Sequence, residues 1–275
     1  MTTTRDLHRQ AMELFESALL ARREGNESRT QTLLQKALAM ESAAADSVAG
    51  DYSLEPTRSI LHRSSASMAL QIGDVQTAIR YSEAGLRGEP PEETREELSK
   101  LQEQALTLQA LKTDYRRRPP QGLTRIQKII RRHTATAPVN IVGLAVDLLL
   151  TVREEDLGAD SGEIIRDIDR GGFSGYSIIV NATHPPVRKR FTAAHEVAHF
   201  LLHRDRITNR LRDDKMYRSN LGTTKEKEAN ELAADLLMPR RLMGQFRTAG
   251  IREPKELAGR FRVSVEAMRI RLGIR

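Results

Sequence analysis

The strongest chemical signal in the chain is a group of two histidines and a glutamate within five residues. The run His195-Glu196-Val197-Ala198-His199 places its histidines four residues apart, and residues four apart lie on one face of an α-helix. Both imidazoles can therefore bind one ion. Zinc accepts imidazole ligands, and a catalytic zinc site keeps an open position beside three protein ligands. We expect Glu196, next to the first ligand, to act as the general base toward water.

The third metal ligand must come from another segment, and a helix predicted over about 224–238 carries two candidates. Glu226 and Glu228 lie roughly 200° apart around such a helix, so only one of them can face the ion. Thr223 and Glu226 have the spacing of a capping box, which would assign Glu226 to the helix end. This interpretation favours Glu228, and Glu226 stays open as the alternative.

The composition limits the kinds of site and the number of domains. The chain has 275 residues, which is enough for two domains, and it contains no cysteine. Disulfides and thiolate metal sites are therefore excluded. We expect one Zn²⁺ per chain, although Mn or Fe could occupy the same ligands.

The charge and the apolar runs indicate the compartment and the partners. The net charge is +7, but the basic residues are spread along the chain, which favours a basic surface over direct binding of DNA. The N-terminus has no apolar signal core, and no apolar run is long enough to cross a membrane. We therefore expect a cytoplasmic protein with no membrane contact.

The segment 1–115 is predicted to be an all-helical domain. Apolar residues recur at three- and four-residue spacing, as in Met12, Phe15 and Leu19. A weak internal repeat has turns at Gly25-Asn26 and Gly73-Asp74. The repeat resembles degenerate tetratricopeptide repeats through its small residues and proline, and it departs from them at Gly85, where alanine is usual. A generic helical bundle is the alternative. The residues that carry the resemblance are Ala66, Gly73, Ala78 and Pro90.

The rest of the chain is predicted to be a linker followed by an α+β domain. Residues 116–137 form a basic linker with a connecting helix at Leu123–Arg132, and the second domain covers 138–275. In this domain we predict a helix from the paired prolines 185 and 186 to Leu202, and two tail helices around Val263-Ser264. Three short strands are predicted to form a small antiparallel sheet. They are Leu150–Glu154, Gly162–Ile168 and Tyr176–Asn181.

Several stretches of the second domain resemble the ImmA/IrrE family of metallopeptidases. The resemblance implies a zincin-like domain and a protease in which Glu228 is the third metal ligand. It also implies a protein substrate, since several members cleave a helix-turn-helix transcriptional repressor and so start a stress, phage or mobile-element response. The stretches are Arg190–His203, Glu228–Pro239, Tyr176–Asn181 and Leu257–Leu272.

Other residues near the motif are candidates for contacts with the substrate. Tyr217, Arg218 and His203 could stabilise an oxyanion, although a packed tyrosine, a solvated arginine and a surface histidine are the plainer interpretations. The strand with Ile178, Ile179 and Val180 could be a sheet edge that receives an extended substrate, or a core strand.

The sequence favours one function over two alternatives. The favoured function is a zinc-dependent endopeptidase, with the helical domain as a site for a regulatory protein partner. The alternatives are a DNA-binding regulator that uses the basic tail and a scaffold with a non-catalytic metal domain. The presence of Glu196 opposes the DNA-binding alternative, because a structural zinc needs no general base. The scaffold is opposed because structural zinc sites are usually closed by four ligands, commonly including cysteine, and this chain offers three plausible ligands and no cysteine.

Overall fold

The computed structural model describes residues 3–112, 123–167, 169–207 and 222–274. The chain divides into two compact units, Met1–Gln109 and Ala110–Arg275, which are described separately. The first unit is helical in its described residues, and the second combines helices with a three-stranded sheet. The predicted α+β fold class, with a helical region before the sheet, is therefore confirmed.

Helices in pairs build the N-terminal unit. Short turns join α1 to α2 and α3 to α4, and the two helices of each pair pack against each other. Gly25 and Gly73 lie in these turns with φ of 72° and 77°, a conformation that glycine adopts without strain. The side chains of Asn26 and Asp74 then cap α2 and α4 by accepting backbone N–H groups. The helices are α1 (Thr4–Arg23), α2 (Glu27–Ser47), α3 (Thr57–Gln71), α4 (Val75–Leu86) and α5 (Glu92–Leu111).

Close packing around Gly85 leaves little room for the alanine that is usual in tetratricopeptide repeats. A Cβ atom on Gly85 would lie 2.8 Å from Cδ2 of Leu98 and 3.1 Å from Cβ of His62. Leu98 is fully buried, so alanine would force the packed side chains to shift. The likeness to tetratricopeptide repeats itself stays a prediction.

The C-terminal unit contains the helices and strands that the sequence predicts. Along the chain, helix α7 precedes the sheet, and helices α8 and α9 follow it. The elements are α6 (Arg125–His133), α7 (Ile141–Asp147), β1 (Thr151–Glu155), β2 (Gly162–Arg166), β3 (Tyr176–Asn181), α8 (Pro186–His203), α9 (Gly222–Leu237), α10 (Arg240–Thr248), α11 (Pro254–Phe261) and α12 (Val265–Leu272).

The sheet differs from the predicted one in two respects. It is mixed, since β3 pairs parallel with β1 and antiparallel with β2, so the prediction of an antiparallel sheet was wrong. The strand order is β1-β3-β2, so β3 is central and the proposed edge role of Ile178, Ile179 and Val180 was also wrong. These three residues are at most 3% exposed, as is typical of a strand covered on both faces.

Helix α8 lies against the sheet and carries the histidine motif. It starts at Pro186, where proline fits the first turn, and it packs on β2, β3 and α9. The side chains of Ala194, Val197, Ala198 and Leu201 are buried. Because these residues fix one face of α8 in the core, the helix turns the face with the two histidines toward α9.

The two tail helices are held to the rest of the unit through Arg271. Its guanidinium forms an ion pair with Asp235 of α9 and donates to the carbonyl oxygen of Met238. Arg260 forms an ion pair with Glu256 within α11. The contacts of Arg271 therefore tie α12 to the C-terminal end of α9. Within the described parts of the chain, no helix combines the length and the apolar character needed to cross a membrane.

Candidate metal centre

Two imidazoles from α8 converge at the surface of the C-terminal unit. The Nε2 atoms of His195 and His199 lie 3.0 Å apart, and their side chains are 16% and 17% exposed. The four-residue spacing on one helix accounts for this geometry, as the sequence predicts.

A carboxylate from α9 completes the group, and it belongs to Glu226. One oxygen of Glu226 lies 3.2 Å from Nε2 of His195, and the other lies 3.3 Å from Nε2 of His199. One atom from each of the three side chains can be chosen so that all lie within 4.8 Å of one another. We call His195, His199 and Glu226 the triad.

Glu228, the ligand favoured from sequence, faces a different partner. Its Oε2 atom lies 3.3 Å from Nε2 of His203, one turn after His199. Thr223 is also not the N-cap residue that the sequence predicts, because α9 begins at Gly222 and Thr223 therefore lies inside the helix. With Glu226 no longer needed for capping, the orientation of α9 against α8 decides which carboxylate faces the histidines.

The remaining ring nitrogens of the triad histidines each have a neighbour. Nδ1 of His195 lies 3.0 Å from Oδ1 of Asn230, and Nδ1 of His199 lies 3.2 Å from Nδ1 of His203. When Nδ1 carries a proton and donates it to such a neighbour, Nε2 keeps a free lone pair toward the triad. The sequence interpretation missed Asn230, although its position four residues after Glu226 places both side chains on one face of α9.

The triad fits a divalent transition metal such as zinc. Zinc bonds to histidine nitrogen at about 2.0–2.1 Å, so two ligand atoms on a tetrahedral ion lie roughly 3.3 Å apart. The spacings of 3.0, 3.2 and 3.3 Å between triad atoms agree with this value. Two imidazoles and one carboxylate are also the donor types of a catalytic site, and Asn230 and His203 are suited to orient the rings.

Glu196 is buried on the side of α8 that faces β2. Its residue surface is 7% exposed, and its carboxylate accepts the backbone N–H of Ile164 in β2. Burial raises the pKa of Glu196 to about 8, with further upward effects from the negative charges of Glu226 and Glu163. A cation held by the triad would oppose this shift, because positive charge favours the ionised carboxylate.

The imidazole of His199 is held in its neutral form. Burial lowers the pKa of His199 to about 4, and the neighbouring His195 acts in the same direction, while Glu226 opposes the shift. At neutral pH the ring of His199 therefore has the protonation state that a metal ligand needs.

The other predicted site residues lie elsewhere or outside the described residues. Tyr217 and Arg218 are outside them, so their role at the oxyanion stays a prediction. His203 contacts His199 and Glu228, and its role at the oxyanion stays a prediction. Ile178, Ile179 and Val180 are buried in the central strand.

The comparison with known families addresses the C-terminal unit. No match was found among curated proteins. The model of the Peptidase_M78 family, described as the IrrE N-terminal-like domain, matches residues 147–273. This range contains the triad, Glu196 and both tail helices, and it supports a peptidase of the metal-dependent kind. The resemblance to the ImmA/IrrE family that the motifs predict for the C-terminal half is therefore confirmed.

Proposed function

We propose that this protein is a zinc-dependent endopeptidase with His195, His199 and Glu226 as metal ligands and Glu196 as the general base. The observation that carries the proposal is the convergence of two Nε2 atoms and one carboxylate within 4.8 Å, next to a buried glutamate that lies beside a ligand in the chain. A structural site would need no such glutamate.

The role of Glu196 follows from its surroundings. Its carboxylate accepts the N–H of Ile164 and interacts electrostatically with Glu226 of the triad, so it lies near the candidate metal position. From there it can take a proton from the attacking water and later deliver that proton to the departing amine.

A bound divalent cation supplies Lewis-acid chemistry, lowering the pKa of water and polarising the peptide carbonyl. The triad would hold this cation, and Asn230 and His203 would orient its two histidine rings. Glu228 remains the competing third ligand. The zinc affinities of the Glu226→Gln and Glu228→Gln variants distinguish the two glutamates.

We propose that the substrate lies beside β2. This strand pairs with β3 on one side, and among the described residues no strand pairs with its other side. An extended peptide can add to such an edge through backbone hydrogen bonds. The strand also contacts Glu196 through Ile164, so a peptide on this edge would bring its carbonyl groups close to the general base.

The identity of the substrate rests on the family resemblance. We propose a helix-turn-helix repressor as substrate and a stress or mobile-element response as the outcome of cleavage. The N-terminal helical unit is proposed to bind a regulatory partner, and a cytoplasmic location fits this role. A repressor encoded by a neighbouring gene is the first substrate to test.

The test compares zinc content and cleavage in the Glu196→Gln variant. The zinc-loaded protein is incubated with a proteome-derived peptide library, and new chain ends are identified by mass spectrometry. We expect Glu196→Gln to keep its zinc and to lose cleavage by roughly 10²–10⁴-fold, since this is the usual contribution of a general base.

The matched control is Glu154→Gln. Glu154 is an exposed glutamate of β1 that pairs with Lys189, so its loss should leave both zinc and cleavage unchanged. Cleavage that persists in Glu196→Gln would exclude Glu196 as the base. A wild-type protein that binds no zinc would exclude the metallopeptidase itself.

A further inference from the structure

A large cleft adjoins the triad on one side. It has a volume of about 1330 Å³ and lies between the first half of α8, the length of α9, and α12. Glu226 and Asn230 border one end, so the cleft is continuous with the candidate metal centre. Its volume exceeds the roughly 300–1,000 Å³ that hold a small ligand, which indicates room for several side chains of a polypeptide.

Apolar side chains line the cleft from its interior to its rim. Phe191 of α8, Ala234 of α9 and Ala267 of α12 are partly buried in its walls. At the rim, Val187 is 38% exposed and Ile270 is 73% exposed. An isoleucine this exposed beside a groove is available to contact a partner.

The charged groups around the cleft do not favour a charged occupant. Among the residues that line it, four are cationic and four are acidic, and Arg271 is already paired with Asp235. Because the two signs balance, a strongly acidic or strongly basic segment gains little there. The apolar lining is therefore what selects the occupant.

The walls favour a helix over an extended chain as the occupant. All three walls are helices, whose backbone N–H and C=O groups are used internally. An extended peptide buried here would leave its own backbone groups without partners, whereas a helix satisfies its own. The stretch of α9 from Glu226 to Asp235 is about 14 Å long, which matches two to three helical turns.

We propose that this cleft binds an amphipathic helix of the protein substrate, beside the segment that is cleaved. The proposal rests on the proposed peptidase function and names the class of substrate that the same site takes. The substrate would present large apolar side chains at positions i, i+3 or i+4 and i+7 of one helix, with the scissile segment following next to the triad.

The test measures peptide binding and does not depend on cleavage. Two fluorescein-labelled 14-residue peptides of identical composition are titrated with zinc-loaded full-length Glu196→Gln protein, and anisotropy is recorded. One peptide carries leucine at helical spacing, and in the other the same residues are scrambled. We expect the patterned peptide to bind at least ~10-fold more tightly and to gain helical circular dichroism on binding.

Two variants locate the binding surface. Ile270→Glu should weaken the patterned peptide by ~10-fold, as expected when a charge enters an apolar contact. Val146→Glu is the matched control, because Val146 is 54% exposed on α7 and does not line the cleft. Ala267→Leu narrows the cleft without adding charge, and it should weaken binding as well if Ile270→Glu fails to fold.

Three outcomes would overturn the inference. They are equal binding of the two peptides, equal effects of Ile270→Glu and Val146→Glu, and tighter binding of a proline-containing extended peptide. Failure of the peptidase proposal is a separate result, because it is measured by zinc binding and cleavage in the wild-type protein. Peptide binding independently tests whether the cleft binds an amphipathic helix.

Discussion

Two buried glutamates, one in each unit, show how the same side chain serves different purposes. Glu41 in α2 is fully buried, and Glu196 in α8 is 7% exposed. Burial is the largest cause that raises the pKa of each carboxyl. The two glutamates therefore share the cost of desolvation and differ in their neighbours.

The neighbours of Glu41 partly offset the effect of burial on its pKa, and the acidic neighbours of Glu196 add to that effect. Nδ1 of His8 lies 2.8 Å from Glu41, and His8, Ser64 and Arg63 act to lower its pKa. Around Glu196, the acidic groups of Glu226 and Glu163 raise the pKa further. The ionised form of Glu41 is disfavoured by burial and is partly compensated by its neighbours, whereas the acidic groups around Glu196 leave it suited to proton transfer or to a nearby cation.

The largest expected effect is on zinc affinity, and it tests whether the acidic group near Glu196 is a metal ligand. We expect Glu226→Gln to weaken zinc binding more than ~100-fold, because it removes a ligand. Glu228→Gln should weaken it about 10-fold, because Glu228 acts through His203 on the orientation of His199. Competition with a chromophoric chelator measures both affinities. The reverse order would restore Glu228 as the ligand and would show that α9 is rotated when metal binds.

Zinc should stabilise the C-terminal unit and leave the N-terminal unit unchanged. Free zinc at 100 times its dissociation constant adds about 2.7 kcal/mol to the unit that binds it. Amide hydrogen exchange followed by mass spectrometry resolves the two units, and slower exchange is expected in α8 and α9. Equal protection of α1 to α4 would contradict the placement of the site within the C-terminal unit.

The free energy of unfolding should depend on pH differently in the wild type and in the Glu41→Gln variant. The folded state raises the pKa of Glu41 above its ordinary value of 4.5, so its contribution is fully present below that value and is lost as pH rises through the folded pKa. Glu41→Gln should therefore gain stability relative to wild type as pH rises, by urea unfolding. The comparison is made in a His8→Gln background, because His8 contacts the Glu41 carboxylate at 2.8 Å and its partner would otherwise change with the substitution. If the wild type instead became more stable relative to the variant as pH rises, the pKa of Glu41 would be lowered in the folded state, against this prediction.

The smallest effect concerns packing in the N-terminal unit. Gly85→Ala should destabilise the protein by about 1 kcal/mol, because overpacking against Leu98 costs about 1–3 kcal/mol and the better helix propensity of alanine returns about 1 kcal/mol. Thermal unfolding measures the change, and Gly244→Ala in α10, where a Cβ meets nothing within 4 Å, is the control. Zinc affinity should be the same in both variants.

The sequence alone determined the local features of this protein. The spacing of His195 and His199 fixes two ligands on one helical face, since four residues make about one turn. The prolines at 185 and 186 predict the start of α8 within a residue, and the glycines at 25 and 73 predict the turns between helix pairs. These features depend on interactions within one or two turns of chain, which neighbouring residues encode directly.

Only the tertiary structure decided the features that depend on distant segments. Whether Glu226 or Glu228 faces the histidines is set by the rotation of α9 against α8, and a two-residue difference is about 200° around a helix. The central position of β3 likewise comes from its pairing with both β1 and β2. Local periodicity reports which face of an element is apolar, but it does not report which neighbour covers that face. Packing between segments far apart in the chain makes that choice.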